Sequence, residues 1–562
     1  MSISLIGWGR FFDGGGSRVT VPAPPTEPDV PWLWDLLASK AESLARAGFD
    51  RIQLPPASKA QGGTGAGCDG YGVFCPRDLG NLDQQGSAPT RYGSVDQLRR
   101  LVAVAHRNGL AVDLDLVLHQ LIGGDNGVYR YKAWDGSLNG RGPMNPGCFR
   151  SANVEDDVPV PSDDFAFGDE KLYQKCQPAG YTIKDALDYG QWIFETTDAD
   201  GGRFDDTKGT WPSFVAEFMN HGTMAGKKFY SEYFDGNPAN LNGWATSGPM
   251  NGRSGVEDFT LHFAIQDACN NLNAESLNGA GYYTWRPDLA VGFVDNPDTD
   301  TSAGEQVATS KLLGYAWLLS IACSEVLVYG KDYFSSAVWP GAYGLQPWID
   351  NLVYINRTFA YGGTVTRWLD GKVMVIERDG NGGAVGQSAG LLTCLNFDTW
   401  NQRTITCATS FGANARLHDY TGHHGDIWTD GQGNATFTIP SNDDANGQSY
   451  LCFSHAGSDK PVAIRRRAVS QVFFGAPDLD IPCAIASRQT PVGRIFVAAK
   501  TKVQFVSKEA ITAHLLDGKV PVAGNEPQRE DWYMVSVETK SATEVSFALT
   551  VTYEAPATIP LR

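Results

Sequence analysis

An α/β fold of the (β/α)8 barrel type, with a subdomain inserted after the third strand and all-β domains after the barrel, is the architecture this sequence predicts. Three observations predict it. Over roughly the first 350 residues, eight apolar strand-like runs recur, each with a helical stretch after it, as a TIM barrel requires. The alternation is broken once, by a stretch rich in Gly, Pro, Asn and Asp that is too long for a plain connection. Beyond about Asn356 the texture changes to short alternating β segments separated by turns.

In chain order, a strand over Ile3 to Trp8 is followed by a Gly/Pro-rich loop and an amphipathic helix over Leu33 to Ala47. The second strand, Asp50 to Pro55, leads into a glycine-rich loop carrying Tyr71, and a helix over Ser94 to Asn108 precedes the strongly apolar third strand, Leu110 to Leu118. Residues 120–180 form the predicted insertion, subdomain B. Alternation resumes with a helix over Ile183 to Thr196, a fourth strand entered through Gly201 and Gly202, a helix over Trp211 to Ala225, and a fifth strand over Lys227 to Tyr233. Strands over Asp258 to Phe263, Leu289 to Asp295 and Glu325 to Gly330 complete eight. Helices over Ala264 to Leu272, Gly304 to Ala322 and Gln346 to Asn356 fill the gaps. The predicted barrel is therefore 1–119 with 181–358, followed by an all-β domain C over 359–458 and a further β-sandwich over 459–562. An open doubly wound sheet would want a glycine-rich phosphate motif after the first strand, and none is present.

Composition narrows the function. A chain of 562 residues with 42% hydrophobic residues, 15 Trp, 21 Tyr and 27 Phe has ample core and aromatics to spare for binding. Its formal net charge of −18 argues against nucleic acid and anionic membrane surfaces as partners and suits a neutral sugar. No apolar run approaches transmembrane length. The N-terminus enters a strand without a basic start or apolar signal core, which predicts a cytoplasmic protein unless a leader has been removed. Of the ten cysteines, Cys269 and Cys323 read as buried thiols, while Cys68 with Cys75 and Cys148 with Cys176 are able to pair only in an exported protein. No Cys/His spacing suits zinc.

In a TIM barrel the chemistry sits at the carboxyl ends of the strands. Acidic residues there are Asp115 on strand three, Asp205 on strand four, Glu232 on strand five and Asp298 just past strand seven. Arg203 and Asp205 are two apart on one strand and share a face, so the guanidinium holds the carboxylate still and ionised. Asp205 and Glu232 are one helix-plus-strand repeat apart and face one cavity. Glu232 lies in the aromatic run Phe229-Tyr-Ser-Glu-Tyr-Phe234, where desolvation raises its pKa and keeps it protonated. Two carboxyl groups across a cleft, about 5–5.5 Å apart, are the equipment of a retaining glycosidase.

These residues carry a resemblance to the alpha-amylase family of glycoside hydrolases (glycoside hydrolase family 13). Gly201-Gly-Arg-Phe-Asp-Asp-Thr-Lys208 resembles its strand-four signature, which implies Asp205 as nucleophile and Arg203 as its partner. Glu232 matches the acid/base. Phe293-Val-Asp-Asn-Pro-Asp298 resembles the strand-seven signature, whose last Asp binds hydroxyls of the distorted sugar. Asp115-Leu-Val-Leu-His-Gln120 matches strand three, and Tyr71 falls where the family stacks an aromatic under the sugar. The resemblance covers about residues 1–458 and implies an α-linked glucan or related oligosaccharide as substrate, cleaved by double displacement. A transglycosylase using the same residues and a carbohydrate-binding protein with a degenerate barrel are the alternatives.

The chain departs from those signatures at three places. Gln120, Gly209 and Pro297 stand where the family carries histidine; two of those histidines normally touch the sugar being cleaved and the third helps a calcium site through its backbone, so hydrogen-bond partners are removed from the cleavage subsite. His119 stands where the family has Asn, a usual calcium ligand, and imidazole suits calcium poorly, so the usual calcium site is altered and no metal ligands are assigned. His119 and Gln120 remain substrate-binding candidates, with Lys208 on the leaving-group side one turn after the nucleophile. Asp115 reads as structural support, with Asp113 two residues before it on the same face. The acidic stretch Asp156, Asp157, Asp163, Asp164, Asp169 and Glu170 reads as a solvated loop, and His423-His424 as a surface turn.

Overall fold

The computed structural model describes residues 1–12, 18–21, 31–122, 164–166, 181–302, 304–380, 390–458, 469–475, 490–539 and 547–553. Eight parallel strands close into a barrel: β1 (Ser2–Ile6), β2 (Arg51–Gln53), β3 (Ala111–Leu116), β4 (Gly201–Phe204), β5 (Lys228–Ser231), β6 (Gly255–Glu257), β7 (Ala290–Phe293) and β8 (Glu325–Tyr329). Each neighbours the next in sequence, and β8 returns to β1. The helices that follow them are α1 (Leu33–Ala47), α2 (Val95–Arg107), α3 (Tyr181–Thr197), α4 (Pro212–Asn220), α5 (Pro238–Ala245), α6 (Phe259–Asn270), α7 (Lys311–Leu318) and α8 (Gln346–Phe359). This is the predicted (β/α)8 barrel.

Period-two alternation sorts the strand residues between two environments. Ile52, Val112, Leu114, Phe204 and Phe229 join the apolar core. The alternate positions fill the lumen with two polar layers. In the lower one Arg51 pairs with Asp113, and Lys228 with Glu325. One step up, Gln53, Asp115, Arg203 and Glu257 bond to one another. Gly201 lies level with Asp113, and a Cβ there would come within 2.2 Å of the Lys228 carbonyl and 2.5 Å of Asp113 Oδ1. The glycine is therefore required by the ion pair beside it.

Three local expectations are corrected. The sixth strand is Gly255–Glu257, and the stretch from Asp258 to Phe263 is a helix start rather than a strand. Asp258 is the N-cap of α6, accepting from the Leu261 amide at 2.9 Å. The helix α5 after β5 has no counterpart in the sequence reading. The helix expected over Gly304 to Ala322 is only Lys311–Leu318, because Ser310 adopts a left-handed φ of 54° and donates its amide to the Ala445 carbonyl of the β region.

Most of the predicted insertion and one predicted cysteine pair lie outside the described residues. Gln120–Ile122 pairs antiparallel with Asp164–Ala166, and residues 123–163 and 167–180 lie outside the described residues. So do Cys148, Cys176 and the acidic residues Asp156, Asp157, Asp163, Asp169 and Glu170. Cys68 and Cys75 are free thiols.

After the barrel, a six-stranded sheet and a separate strand pair, Arg403–Ala408 with Asn434–Ile439, enclose a core that includes Val375, Leu392, Ile405, Phe437 and Phe453. Farther along, a three-stranded and a four-stranded antiparallel sheet share Ile495, Leu515, Val535, Leu549 and Val551 in one core, the arrangement of a sandwich. Ala103 of α2 belongs to that same core, so this last unit packs on the barrel's outer face. Among the described residues no helix is long and apolar enough to cross a membrane.

Gly201→Ala is expected to lower stability by about 1–3 kcal/mol, the range of an overpacked core, and more if the Arg51–Asp113 pair is broken. The measurement is the barrel's unfolding transition in urea.

Candidate active site

Backbone hydrogen bonds carry β4 and β5 one residue beyond their ends. The Asp205 amide donates to the Leu116 carbonyl at 3.1 Å, Glu232 to Phe204 at 2.9 Å, and Thr207 to Glu232 at 2.9 Å. Asp205 and Glu232 are thereby placed at the carboxyl rim of adjacent strands. The chain then turns sharply, with Asp206 at a left-handed φ of 38°, capping the short 3-10 turn Thr207–Gly209 by accepting from the Gly209 amide. A non-glycine residue in that region is strained, and such strain clusters at functional turns.

The guanidinium of Arg203 organises the rim. It donates to Glu257 through Nε at 2.9 Å and to both oxygens of Asp115 through Nη1 at 2.9 and 3.0 Å. Nη1 also reaches Asp205 Oδ1 at 3.2 Å, and Nη2 lies 2.9 Å from Glu232 Oε2. Four carboxyl groups from four consecutive strands share one buried cation. The expected Arg203–Asp205 pair is present, and the same guanidinium also binds Asp115, Glu232 and Glu257. Asp115 also accepts from Tyr71 Oη at 2.7 Å and Gln53 Nε2 at 3.1 Å.

One positive charge cannot offset four buried negative ones. Burial raises the pKa of Asp205, Glu232, Asp115 and Glu257 alike, and for Asp205 the neighbouring Glu232 raises it further. The sequence reading had Asp205 held ionised and Glu232 alone shifted up. The structure instead makes the group titrate together, with Glu257 pushed up to about 7. Glu257 escaped the sequence reading because strand six was drawn too late in the chain, which put this acid in a connection rather than at a strand end.

The other candidates divide. Asp298 is not bonded to Arg203. Its carboxylate pairs with Arg10, which also holds Asp69 at 2.6 Å. The ring of Tyr71 lies between the two guanidinium groups, 5.4 Å from Arg10 and 6.0 Å from Arg203, and against Trp8. Lys208 reaches Asp235 and the Phe234 carbonyl, both at 3.4 Å, on the β5 side of the rim. His119 and Gln120 bond to each other at 2.6 Å, and Gln120 Nε2 donates to the Tyr71 carbonyl at 3.4 Å.

At the place where the family resemblance implies calcium, His119 Nδ1 lies 3.3 Å from Asp206 Oδ2. A Cβ on Gly209 would come within 2.5 Å of His119 Nε2, so the imidazole occupies the space a larger residue 209 would need. Calcium takes six to eight oxygen ligands. A ring nitrogen beside one carboxylate does not fit it. Among the described residues no group of three or more His, Cys, Asp or Glu is arranged to hold a metal ion. His423 and His424 bond to the backbone carbonyls of Tyr450 and Gly425.

Known alpha-amylases are similar to this chain over most of its length. The alpha-amylase of Geobacillus stearothermophilus is 24% identical over 508 residues, covering 79% of this chain and 86% of the relative. The cytoplasmic alpha-amylase of Escherichia coli (strain K12) is 23% identical over 473 residues, 72% of this chain and 93% of the relative. Over most of its length, then, the chain is similar to alpha-amylases, which are glycoside hydrolases. No protein-family model matches it. Among solved structures, the gamma-CGTase from alkalophilic Bacillus clarkii superposes with a TM-score of 0.56 at 16% identity, covering 99% of this chain and 95% of the other. That likeness extends the family's fold over the C-terminal β regions as well as the barrel.

Glu257 supplies a pH test of the shared charge. Unfolded, it releases its proton near 4.5; folded, near 7. The folded state binds the proton more tightly, so this contribution to stability is present below pH 4.5 and is lost as pH rises through 7. Glu257→Gln, which does not titrate, is expected to flatten that part of the fall in Tm, measured by thermal unfolding across the pH range.

Proposed function

We propose that the chain is a retaining α-glycoside hydrolase that cleaves an α-linked glucan or a related oligosaccharide. Asp205 attacks the anomeric carbon while Glu232 protonates the leaving oxygen, giving a covalent glycosyl–Asp205 ester. Glu232, now ionised, takes a proton from water, and the resulting attack frees the sugar and restores Asp205. Asp298 binds hydroxyls of the distorted ring. The observation that carries this reading is the single guanidinium shared by Asp205 and Glu232 at the rims of adjacent strands. Asp205 Oδ1 and Glu232 Oε2 are both engaged by Arg203, and Glu232 Oε2 also accepts from the Asp206 amide at 3.1 Å. Oδ2 is left to attack and Oε1 to carry the proton. Repulsion between the two buried carboxyls resists double ionisation, so the pair retains one proton, as an acid beside a nucleophile requires.

The relatives' names supply the substrate class. Glu232→Gln is expected to lower kcat by about 10³-fold or more on soluble starch or maltoheptaose. Unchanged hydrolysis across starch, pullulan and maltooligosaccharides would falsify the assignment. The same reactions, followed for reducing ends and for chain length, separate hydrolysis from glycosyl transfer: hydrolysis yields one new reducing end per bond broken, transfer yields longer products without them.

The reading also holds the turn after strand four to be tied by His119, Asp206 and the Gly209 amide rather than by calcium. Dialysis against EGTA is expected to leave Tm unchanged, and a fall in Tm restored by added calcium would count against it.

A further inference from the structure

The sequence reading gave Arg10 no role, yet it is the second buried guanidinium at the barrel rim. It lies in the strand Gly9–Phe12 just after β1, and its side chain is only 6% exposed. Five contacts fix it. Its backbone amide donates to Tyr329 Oη at the end of β8, at 3.2 Å. The guanidinium lies 5.0 Å from the Trp8 ring centre and 5.4 Å from that of Tyr71, within cation–π range of both. Nη2 binds Asp69 Oδ2 at 2.6 Å, and Nη1 binds Asp298 Oδ1.

The partner on the far side lies nearer the surface. Asp298 has a side chain 43% exposed, and it follows Pro297, which offers no side-chain hydrogen bond. Asn296 fixes the loop by accepting from the Asp298 amide at 2.9 Å, but that bond does not orient the carboxylate. A half-exposed Asp on a loop samples several rotamers unless something rigid holds one oxygen. A guanidinium fork that is itself packed between two rings provides that hold at small entropic cost.

We propose that Arg10 is the positioning residue for Asp298, fixing one carboxylate oxygen so that the other meets the hydroxyls of the sugar undergoing cleavage. This rests on the reading of Asp298 given above. Arg10 touches no reacting atom; it acts through Asp298, with Asp69 as its counter-anchor from the loop after β2. A lysine at position 10 keeps the charge but cannot span two carboxylates from loops on opposite sides of β1.

The test compares Arg10→Met, Arg10→Lys, Asp298→Asn and the Arg10→Lys/Asp298→Asn double variant in the full chain, on whichever of soluble starch or maltoheptaose the wild type cleaves faster. Arg10→Met is expected to lose about 10²-fold in kcat with little change in KM, as a misplaced catalytic group does. Added guanidinium ion restores part of that loss, which a merely structural role would not allow. Arg10→Lys loses less, and costs nothing further on top of Asp298→Asn, because both act through one carboxylate. If Arg10→Met does not fold, the lysine variant and the double variant decide alone. Wild-type kcat in the Arg10 variants beside an inactive Asp298→Asn overturns this inference and leaves the proposed function standing. Wild-type kcat in Asp298→Asn overturns the reading of Asp298, and this inference with it.

Discussion

The Arg203 guanidinium, buried at the carboxyl end of the barrel lumen, is the interaction on which the rest of the site depends. It bonds to Asp115, Asp205, Glu232 and Glu257, residues delivered by four consecutive strands. A buried cation without partners would be strongly destabilising, and so would four buried carboxylates without a cation. Each side of the arrangement makes the other tolerable. Burial, with repulsion among the acids added to it, raises the carboxyl pKa values.

The lumen prepares for that cluster one layer below. Arg51, Asp113, Lys228 and Glu325 pair near the amino ends of their strands, and Gly201 gives up its side chain to make room for them. Two stacked polar layers, separated by the two-residue repeat of the strands, fix the rotation of β3 and β4 about their axes. A one-residue slip in either strand would turn its charged residues into the apolar core outside the barrel. The register that the core enforces is thus the same one that aims Arg203, Asp115 and Asp205.

The rim is less uniform than the lumen. Tyr71 stands between two guanidinium groups, Arg203 on the barrel side and Arg10 on the loop side, and its hydroxyl closes onto Asp115. At the turn after strand four, the imidazole of His119 fills the volume left by Gly209 and approaches Asp206. A substitution at either place, read alone, suggests a lost function; the two together form one packed contact.

How much of this was legible in the sequence follows from the range of each interaction. Strand and helix periods are local, so the barrel, the α1 and α2 boundaries and the β regions after the barrel were readable from apolar spacing. Asp205, Glu232 and Asp298 stood out because each carboxyl follows directly on a strand-like run. Strand six did not, because three residues are too few to show alternation and Asp258, its apparent start, is a helix cap. Glu257 was hidden by that error. Arg10 carried no signal at all, since it is an ordinary charged residue in a glycine-rich approach until β7 and the loop after β2 bring Asp298 and Asp69 to it. The sequence by itself determined which elements form and which side chains share a strand face, because both depend on neighbours along the chain. Only the tertiary structure decided who shares whose charge: barrel closure set Arg203 among four acids rather than one, and gave Asp298 to Arg10, because ion pairing depends on distances across the lumen that no spacing along the chain records.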